Sequence, residues 1–315
     1  MPEIVSIGEV LIDLIATEQP AGGSWNLVAN AGGAPANVAV GVARLGVSAG
    51  FVGSVGKDGF GRFLIDTLES NGVDCQCVAV HEEYPTTLAT VTLDEKGDRS
   101  FAFYRSNTAD VEIPVTDGVR KYISQARIVV FGAVSLAHRK ARESVLSLID
   151  EVKDGLVAFD PNYRASLWES ETEAREVILD TIKRADIVKV SEEELDFLTG
   201  GTTIEDARRL FANHRLFLIS RGEKGCSVLT ASGSNYELPA FRRRAVDTTG
   251  AGDAFLAGLL TAIQLDPGCL TEEGERLKDA VQFAQAAAAV TVGRYGAIPS
   301  LPTRDEVEGV LQSGS

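Results

Sequence analysis

Cysteine, histidine and methionine are scarce in this chain of 315 residues, which has four, three and one of them respectively. The cysteines, Cys75, Cys77, Cys226 and Cys269, form no C-x-x-C pair, and with so few histidines no zinc-binding pattern emerges. Cys75 and Cys77 lie two apart, so on a strand they share a face without being bridged. Reduced, structural thiols in a cytoplasmic protein are the expectation. No run of about eighteen apolar residues exists, which argues against a membrane-spanning helix. The opening Met1-Pro2-Glu3-Ile4-Val5-Ser6-Ile7-Gly8 has neither a basic stretch nor a long apolar core, so no signal peptide is expected. Positive charge is also in deficit, 30 Lys and Arg against 45 Asp and Glu, a formal net charge of −15. That balance argues against nucleic-acid or anionic-membrane partners, both of which need basic patches. It leaves room for a small anion, because one local site can be positive on an acidic protein. The phosphate-cradling pattern G-x-x-x-x-G-K-[ST] is missing, as is a strand-linked G-x-G-x-x-G. Internal repeats, low-complexity tracts and Pro/Ser-rich linkers are missing too.

Glycine, by contrast, is plentiful: 31 of 315 residues, roughly 10% against about 7% on average. That excess suits a fold with many tight strand-to-helix turns. Apolar runs alternate with helical patterns. Strands are expected at Ile4–Gly8, Phe51–Gly56, Ile128–Phe131, Leu156–Phe159, Ile187–Val190 and Leu216–Ser220. Helices are expected at Pro35–Leu45, Asp58–Asn71, Arg139–Lys153, Thr172–Arg184 and Ile204–Ala212, the first two stopped by Gly46 and Gly72. This alternation implies right-handed βαβ units and a mostly parallel sheet covered by helices on both faces, an α/β fold in one domain. One stretch departs from it. Thr86–Leu93 and Arg99–Arg105 are β-rich, with Phe101 and Phe103 alternating with smaller residues and a turn signal at Glu95-Lys96-Gly97-Asp98. This hairpin is either an antiparallel edge of the main sheet or a β lid over a site. Leu11–Ile15 and Trp25–Val28 are available to extend such a lid, which would then span about 11–30 and 86–110.

The densest chemistry lies in Asp247-Thr248-Thr249-Gly250-Ala251-Gly252-Asp253-Ala254-Phe255. Small residues lead into an apolar, buried-looking helix with a carboxylate at the junction. A helix N-terminus offers unpaired N–H groups and the positive end of a dipole, and the glycines let an anion approach them. An Asp capping a helix after a Gly turn would explain Asp253 alone. It would not explain two glycines, two threonines and a second aspartate beside it. Far upstream, Ala31-Gly32-Gly33-Ala34-Pro35-Ala36-Asn37-Val38-Ala39 is a second glycine turn opening a helix, with Asn37 in its first turn.

Together these segments resemble the two signatures of the ribokinase-like, PfkB-type carbohydrate kinases. The resemblance covers nearly the whole chain, through Gly8-Glu9 to Asp13, Gly53–Gly61, Asp160–Trp168, Ser191–Glu194 and Ser220–Gly225. Within that family Asp160-Pro161-Asn162-Tyr163-Arg164-Ala165-Ser166-Leu167-Trp168 looks like the D-P-N-x-R-x-x-L-W run of fructokinases. The 2-keto-3-deoxygluconate kinases carry a similar run. Phe103-Tyr104-Arg105 and Thr108-Ala109-Asp110 are closer to the fructokinase pattern.

The resemblance implies an ATP- and magnesium-dependent kinase acting on a terminal hydroxyl of a small sugar, fructose to fructose 6-phosphate first. 2-Keto-3-deoxygluconate comes next, then ribose or a nucleoside, and outside enzymes a catalytically dead sugar- or nucleotide-binding regulator. Asp253 aligns with the family's base, and Gly250, Ala251 and Gly252 would form the anion hole for the moving phosphoryl. The helix N-terminus should lower the pKa of Asp253. The sugar would meet Asp13, Gly32, Gly33 and Asn37, with Arg164 reaching sugar or phosphate and Arg105 entering from the lid. Asp13 could instead cap a turn, and arginines are more often simply solvated. Lys189, Ser220, Gly222 and Gly225 fall to the nucleotide, although Gly222-Glu223-Lys224-Gly225 alone would pass as a β-turn. Glu194 stands where the family has N-x-x-E, a motif tied to magnesium, through a metal-bound water here. Ser191 replaces the Asn, and Ser191-Glu192-Glu193-Glu194 reads equally as a capped acidic helical turn. Asp247 and Thr249, with Thr291, Arg294, Gly296 and Ser300, match positions that hold a monovalent cation, K+, in many relatives. Asp247 capping the loop is the equal alternative. Exposed apolar strand faces on a lid would need cover, so a homodimer through it is expected.

Overall fold

Short runs of branched apolar residues form the strands, and their alternation assigns the helices to two faces. Residues 1–16, 24–93, 99–211, 214–271 and 274–314 are described by a computed structural model. The strands are β1 (Ile4–Ile7), β2 (Leu11–Ala16), β3 (Leu27–Gly32), β4 (Ala49–Gly56), β5 (Val73–His81), β6 (Leu88–Leu93), β7 (Arg99–Tyr104), β8 (Ile128–Gly132), β9 (Leu156–Asp160), β10 (Ile187–Ser191), β11 (Leu216–Ser220), β12 (Cys226–Thr230) and β13 (Asn235–Leu238). Nine of them make one sheet in the order β13-β12-β11-β10-β9-β8-β1-β4-β5, parallel except for the β11-β12-β13 edge. In β8, Val129 and Phe131 pack with helices Asp117–Ser124, Arg139–Ile149 and Glu171–Ile182. Ile128 and Val130 pack with Ala34–Arg44, Ala251–Leu265 and Glu275–Thr291 on the opposite side. The strand period of two thus divides the core into two layers, and the expected α/β architecture is borne out.

The remaining strands form a separate sheet in the order β3-β2-β6-β7. It is mixed: β2 and β6 run parallel, while β2-β3 and β6-β7 are antiparallel. The Thr86–Leu93 and Arg99–Arg105 hairpin therefore pairs here and not with the main sheet. Its turn, Glu95–Asp98, and the side chain of Phe101 lie outside the described residues.

Several elements escaped the sequence reading. Strand β5 is half-buried, with an irregular pattern from Asp74 to Gln76 that hides its period. The β12–β13 hairpin and the helices Glu275–Thr291 and Arg304–Ser313 were also missed. The 17-residue helix is rich in alanine, which propensity scales favour but apolar periodicity barely registers. Helix ends shift by a few residues: Arg139–Ile149 stops short of Lys153, and Ser170 caps Glu171–Ile182.

Candidate active site

Two helix N-termini meet in the space between the sheets. Gly250 is the N-cap of Ala251–Leu265 with φ 78°, a left-handed conformation that favours glycine; a Cβ there would come within 3.0 Å of the Ala297 Cα. The cap is therefore Gly250, and Asp253 stands one turn into the helix. Its carboxylate does no capping but accepts a 2.7 Å hydrogen bond from Asn37 Nδ2. Asn37 lies in the first turn of Ala34–Arg44, whose N-cap is Gly33 at φ 104°. The two glycine turns thus converge on one carboxylate, joining residues 216 apart in sequence. Of the proposed anion-hole donors, the Ala251 N–H already bonds Thr248 O at 3.2 Å. No backbone hydrogen bond from the first-turn N–H of Gly252 occurs among the described residues.

Asp253 opens into a cavity of about 330 Å³, walled also by Glu9, Asp13, Gly33, Asn37, Phe103, Asn162, Arg164 and Lys189. On the other side of the Gly250 loop lies a larger cavity of about 810 Å³, lined by Ser220, Gly222–Gly225, Arg242, Arg243, Phe255 and Gln285 among others. Thr248 and Gly252 line both.

The electrostatics of Asp253 differ from expectation. Burial pushes its pKa up to about 6, with Asp160 adding to the rise and Asn37, Lys189 and Arg164 opposing it. Desolvation of a buried carboxylate outweighs the helix dipole, so the predicted lowering is corrected to a rise. Asp13, on β2, is likewise raised to about 6 by burial and by the charge of Asp253. No hydrogen-bond partner for its carboxylate occurs among the described residues. Gly32, expected against the sugar, is not among the residues that wall the cavity. It pairs with Leu11 across β2 and β3, diagonal to Asp13, and a Cβ on it would fall 2.1 Å from Asp13 Oδ2. The missing side chain makes room for the aspartate, while Gly33 itself lines the cavity.

Beneath the loop lies a buried charge cluster. Lys189 Nζ donates to Asp160 Oδ2 at 2.6 Å, with both side chains less than a tenth exposed. The ammonium also lies 3.3 Å from where a Gly252 Cβ would sit, so the lysine underpins the loop and faces the sugar-sized cavity, not the larger one. Burial opposes its charge, but Asp160, Glu194 and Asp253 outweigh that and raise its pKa. Glu194 accepts backbone hydrogen bonds from Tyr163 and Ser191, each at 2.7 Å, and completes a capping box with Ser191. The capped-turn reading of Ser191–Glu194 is therefore realised.

Asp247 is buried and accepts from Thr249 N at 2.8 Å and Gly296 N at 3.0 Å, tying the Gly296 turn to the loop. The loop-capping reading of this residue is realised too. The hydroxyls of Thr291 and Ser300 donate to Ala287 O and Ala297 O, and Arg294 pairs with Glu306 at the surface. Arg105 does not wall the cavity. Its Nε pairs with Asp110 at 2.6 Å and its Nη1 donates to Val134 O at 2.6 Å, leaving Nη2 buried without a partner among the described residues. Glu9, Thr248, Arg242 and Arg243 were not singled out as site residues. The Gly8-Glu9 pair and the Arg242–Arg244 run beside an apolar segment were the available signals.

A family model described as pfkB family carbohydrate kinase matches residues 1–304. The chain belongs to this family. Fructokinase-1 of Oryza sativa subsp. japonica is 42% identical over 322 residues, covering 98% of each chain. Among solved structures, fructokinase from Xylella fastidiosa with bound ATP superposes with a TM-score of 0.89 at 31% identity, covering 100% of this chain and 99% of that one. Fructokinase from Vibrio cholerae in its fructose-, ADP- and calcium-bound form gives 0.84 at 34% identity, covering 98% and 99%. As a pfkB kinase the chain is a sugar phosphotransferase with ribokinase-like topology. No helix among the described residues is long and apolar enough to cross a membrane.

Proposed function

We propose that this pfkB kinase transfers the terminal phosphoryl of ATP to the primary hydroxyl of fructose, giving fructose 6-phosphate. The observation that carries the reading is the pair of cavities meeting at Thr248 and Gly252, with Asp253 facing the smaller. A monosaccharide suits the smaller and a nucleotide the larger. The relatives support the same pairing, since one bound ATP and another fructose with ADP.

Asp253 takes the proton of the attacking hydroxyl, and the amides of Gly250, Ala251 and Gly252 receive the developing charge. Asp13, Gly33 and Asn37 hold sugar hydroxyls, Gly32 makes way for Asp13, and Arg164 meets sugar or phosphate. Lys189 keeps the loop electropositive, while Ser220, Gly222 and Gly225 border the nucleotide. Magnesium fits the donor set: Asp160 Oδ1 is buried without a partner among the described residues and Glu194 is close enough to feel its charge, both hard oxygen ligands. When bound, the ion neutralises charge on the phosphate oxygens. The decisive measurement is coupled ADP release over fructose, ribose, 2-keto-3-deoxygluconate and nucleosides. Fructose should give the highest kcat/KM; fructose among the poorest would sink the substrate assignment and leave the family intact. No ATP turnover with any sugar would favour the dead-kinase reading.

The smaller sheet acts as a lid, since Leu11, Asp13 and Phe103 on it wall the sugar cavity. Its edge strands leave Val28 49% and Tyr104 60% exposed, which a second lid can cover. A homodimer is the expected species in analytical ultracentrifugation, and Val28→Glu should shift it toward monomer. A wild-type monomer at micromolar concentration would refute the pairing.

A monovalent cation beside Asp247 completes the proposal, stiffening the hinge between the loop and the Gly296–Ser300 turn. Potassium should raise kcat several-fold when it replaces choline chloride at constant ionic strength. Equal rates in the two salts would remove the cation and leave Asp247 as a clamp.

A further inference from the structure

We infer that Glu9 is a sugar-specificity residue, reading one hydroxyl of the acceptor at the wall fixed by Ser135 and Arg105. The inference rests on the fructose kinase reading and adds to it a residue with no role so far.

Glu9 follows β1, and its side chain is only 2% exposed yet lines the sugar-sized cavity. A carboxylate in such a place is costly unless it is hydrogen-bonded. Only one neighbouring side chain satisfies it: Ser135 Oγ donates to Oε2 at 2.7 Å. The other oxygen has no bond from another residue among the described residues. The serine can approach because residue 8 is glycine, where a Cβ would fall 2.8 Å from Ser135 Oγ. Burial lifts the acid to about 7, against the pull of Ser135 and of the Arg105 charge. In its ionised form this carboxylate is a strong hydrogen-bond acceptor for a hydroxyl.

Arg105, which does not wall the cavity, acts on Glu9 through its charge. Its Nη1 is tied to Val134 O, so Glu9 and Arg105 are anchored to consecutive residues of one short helical turn, Ala133–Leu136. Arg105 Nη2 is a buried donor without a partner among the described residues. A hydroxyl donates as well as accepts, so one acceptor hydroxyl can donate to Glu9, while the Arg105 charge favours the ionised carboxylate that receives it. Asp110, in the short turn Ala109–Val111, pairs with Arg105 Nε and fixes the arginine there. Asp13 and Asp253 line the same cavity. The reacting hydroxyl is assigned to Asp253, so Glu9 is left to read a different one.

The test is a coupling experiment with fructose and its 1-, 3- and 4-deoxy analogues, on wild type and Glu9→Gln. The amide can keep the Ser135 bond and removes the charge. Wild type should lose about 10-fold or more in kcat/KM on one analogue, about what a lost hydrogen bond to a charged group costs. Glu9→Gln should show a comparable rise in KM for fructose, with kcat within about threefold, and should no longer distinguish that analogue from fructose. Glu9→Asp, which keeps the charge but withdraws it by one carbon, should lose the same discrimination. A uniform loss on all four sugars, or an unchanged fructose KM in Glu9→Gln, would overturn the inference and leave the fructose reading standing. Failure of wild type to phosphorylate fructose would overturn both.

Discussion

Replacing Asp253 by Asn should lower kcat by about 10²–10⁴-fold, the usual share of a positioned general base, while the fold persists. Asn keeps the volume and can still accept the Asn37 amide, so the two helix N-termini stay joined. Retention of more than about a tenth of wild-type kcat would end the base assignment. The pH profile gives an independent reading. With its pKa near 6, Asp253 is ionised at neutral pH, and log kcat/KM should fall with a slope of one as pH drops below that value. The residual activity of Asp253→Asn should lack this limb. Stability runs the opposite way. The folded pKa lies above the ordinary value of 3.8, so the folded chain binds the extra proton. Its contribution is present in acid and is lost as pH rises from about 4 through about 6. At pH 7 the Asn variant should therefore be more stable, by about 1–3 kcal/mol, in urea unfolding. An active site that gains stability when its base is removed is one that holds strain for function.

The second large effect is on the buried pair below the loop. Lys189→Met leaves Asp160 with a buried charge and no cation, and should destabilise the protein by about 3–5 kcal/mol. Lys189→Met combined with Asp160→Asn removes both charges and should recover most of that loss. Activity should not return with it, because the ammonium also supports the Gly252 backbone from the sugar side. Recovery of both together would mean the pair is purely structural. Lys189 has a raised pKa, so its favourable contribution holds below about 10.5 and fades only in strong alkali. The double variant should thus differ from wild type most in acid and neutral buffers.

Much of this was legible in the chain. Runs such as Ile128–Phe131 and Leu216–Ser220 declare buried strands because a parallel sheet covered on both faces has no polar side to show. The two glycine turns announced both helix N-termini, and the pfkB resemblance said which residues they should carry. What the sequence hid was distance and dielectric. Nothing in Gly32 or Asp13 tells that one makes space for the other. The pKa of Asp253 was misjudged because the dipole is read from local sequence, whereas burial is assembled from Asn37, Asp160 and Lys189 at remote positions. Glu9 escaped for the same reason, since its partners Ser135 and Arg105 are distant in sequence.

In the proposed reaction the two sheets divide the labour of the site. The groups proposed for the transfer step, Asp253, Gly252 and Lys189, belong to the main sheet and the helix Ala251–Leu265, where Gly258 lies against Ala284 with no space for a Cβ. Asp13 and Phe103, on the acceptor side, belong to a sheet attached through four chain crossings. Substitutions in the smaller sheet can therefore accumulate without disturbing the transfer machinery. Such a scaffold lets the identity of the acceptor drift over generations while the reaction stays fixed, and it marks β2 and β7 as the positions to randomise when redirecting this kinase to another sugar.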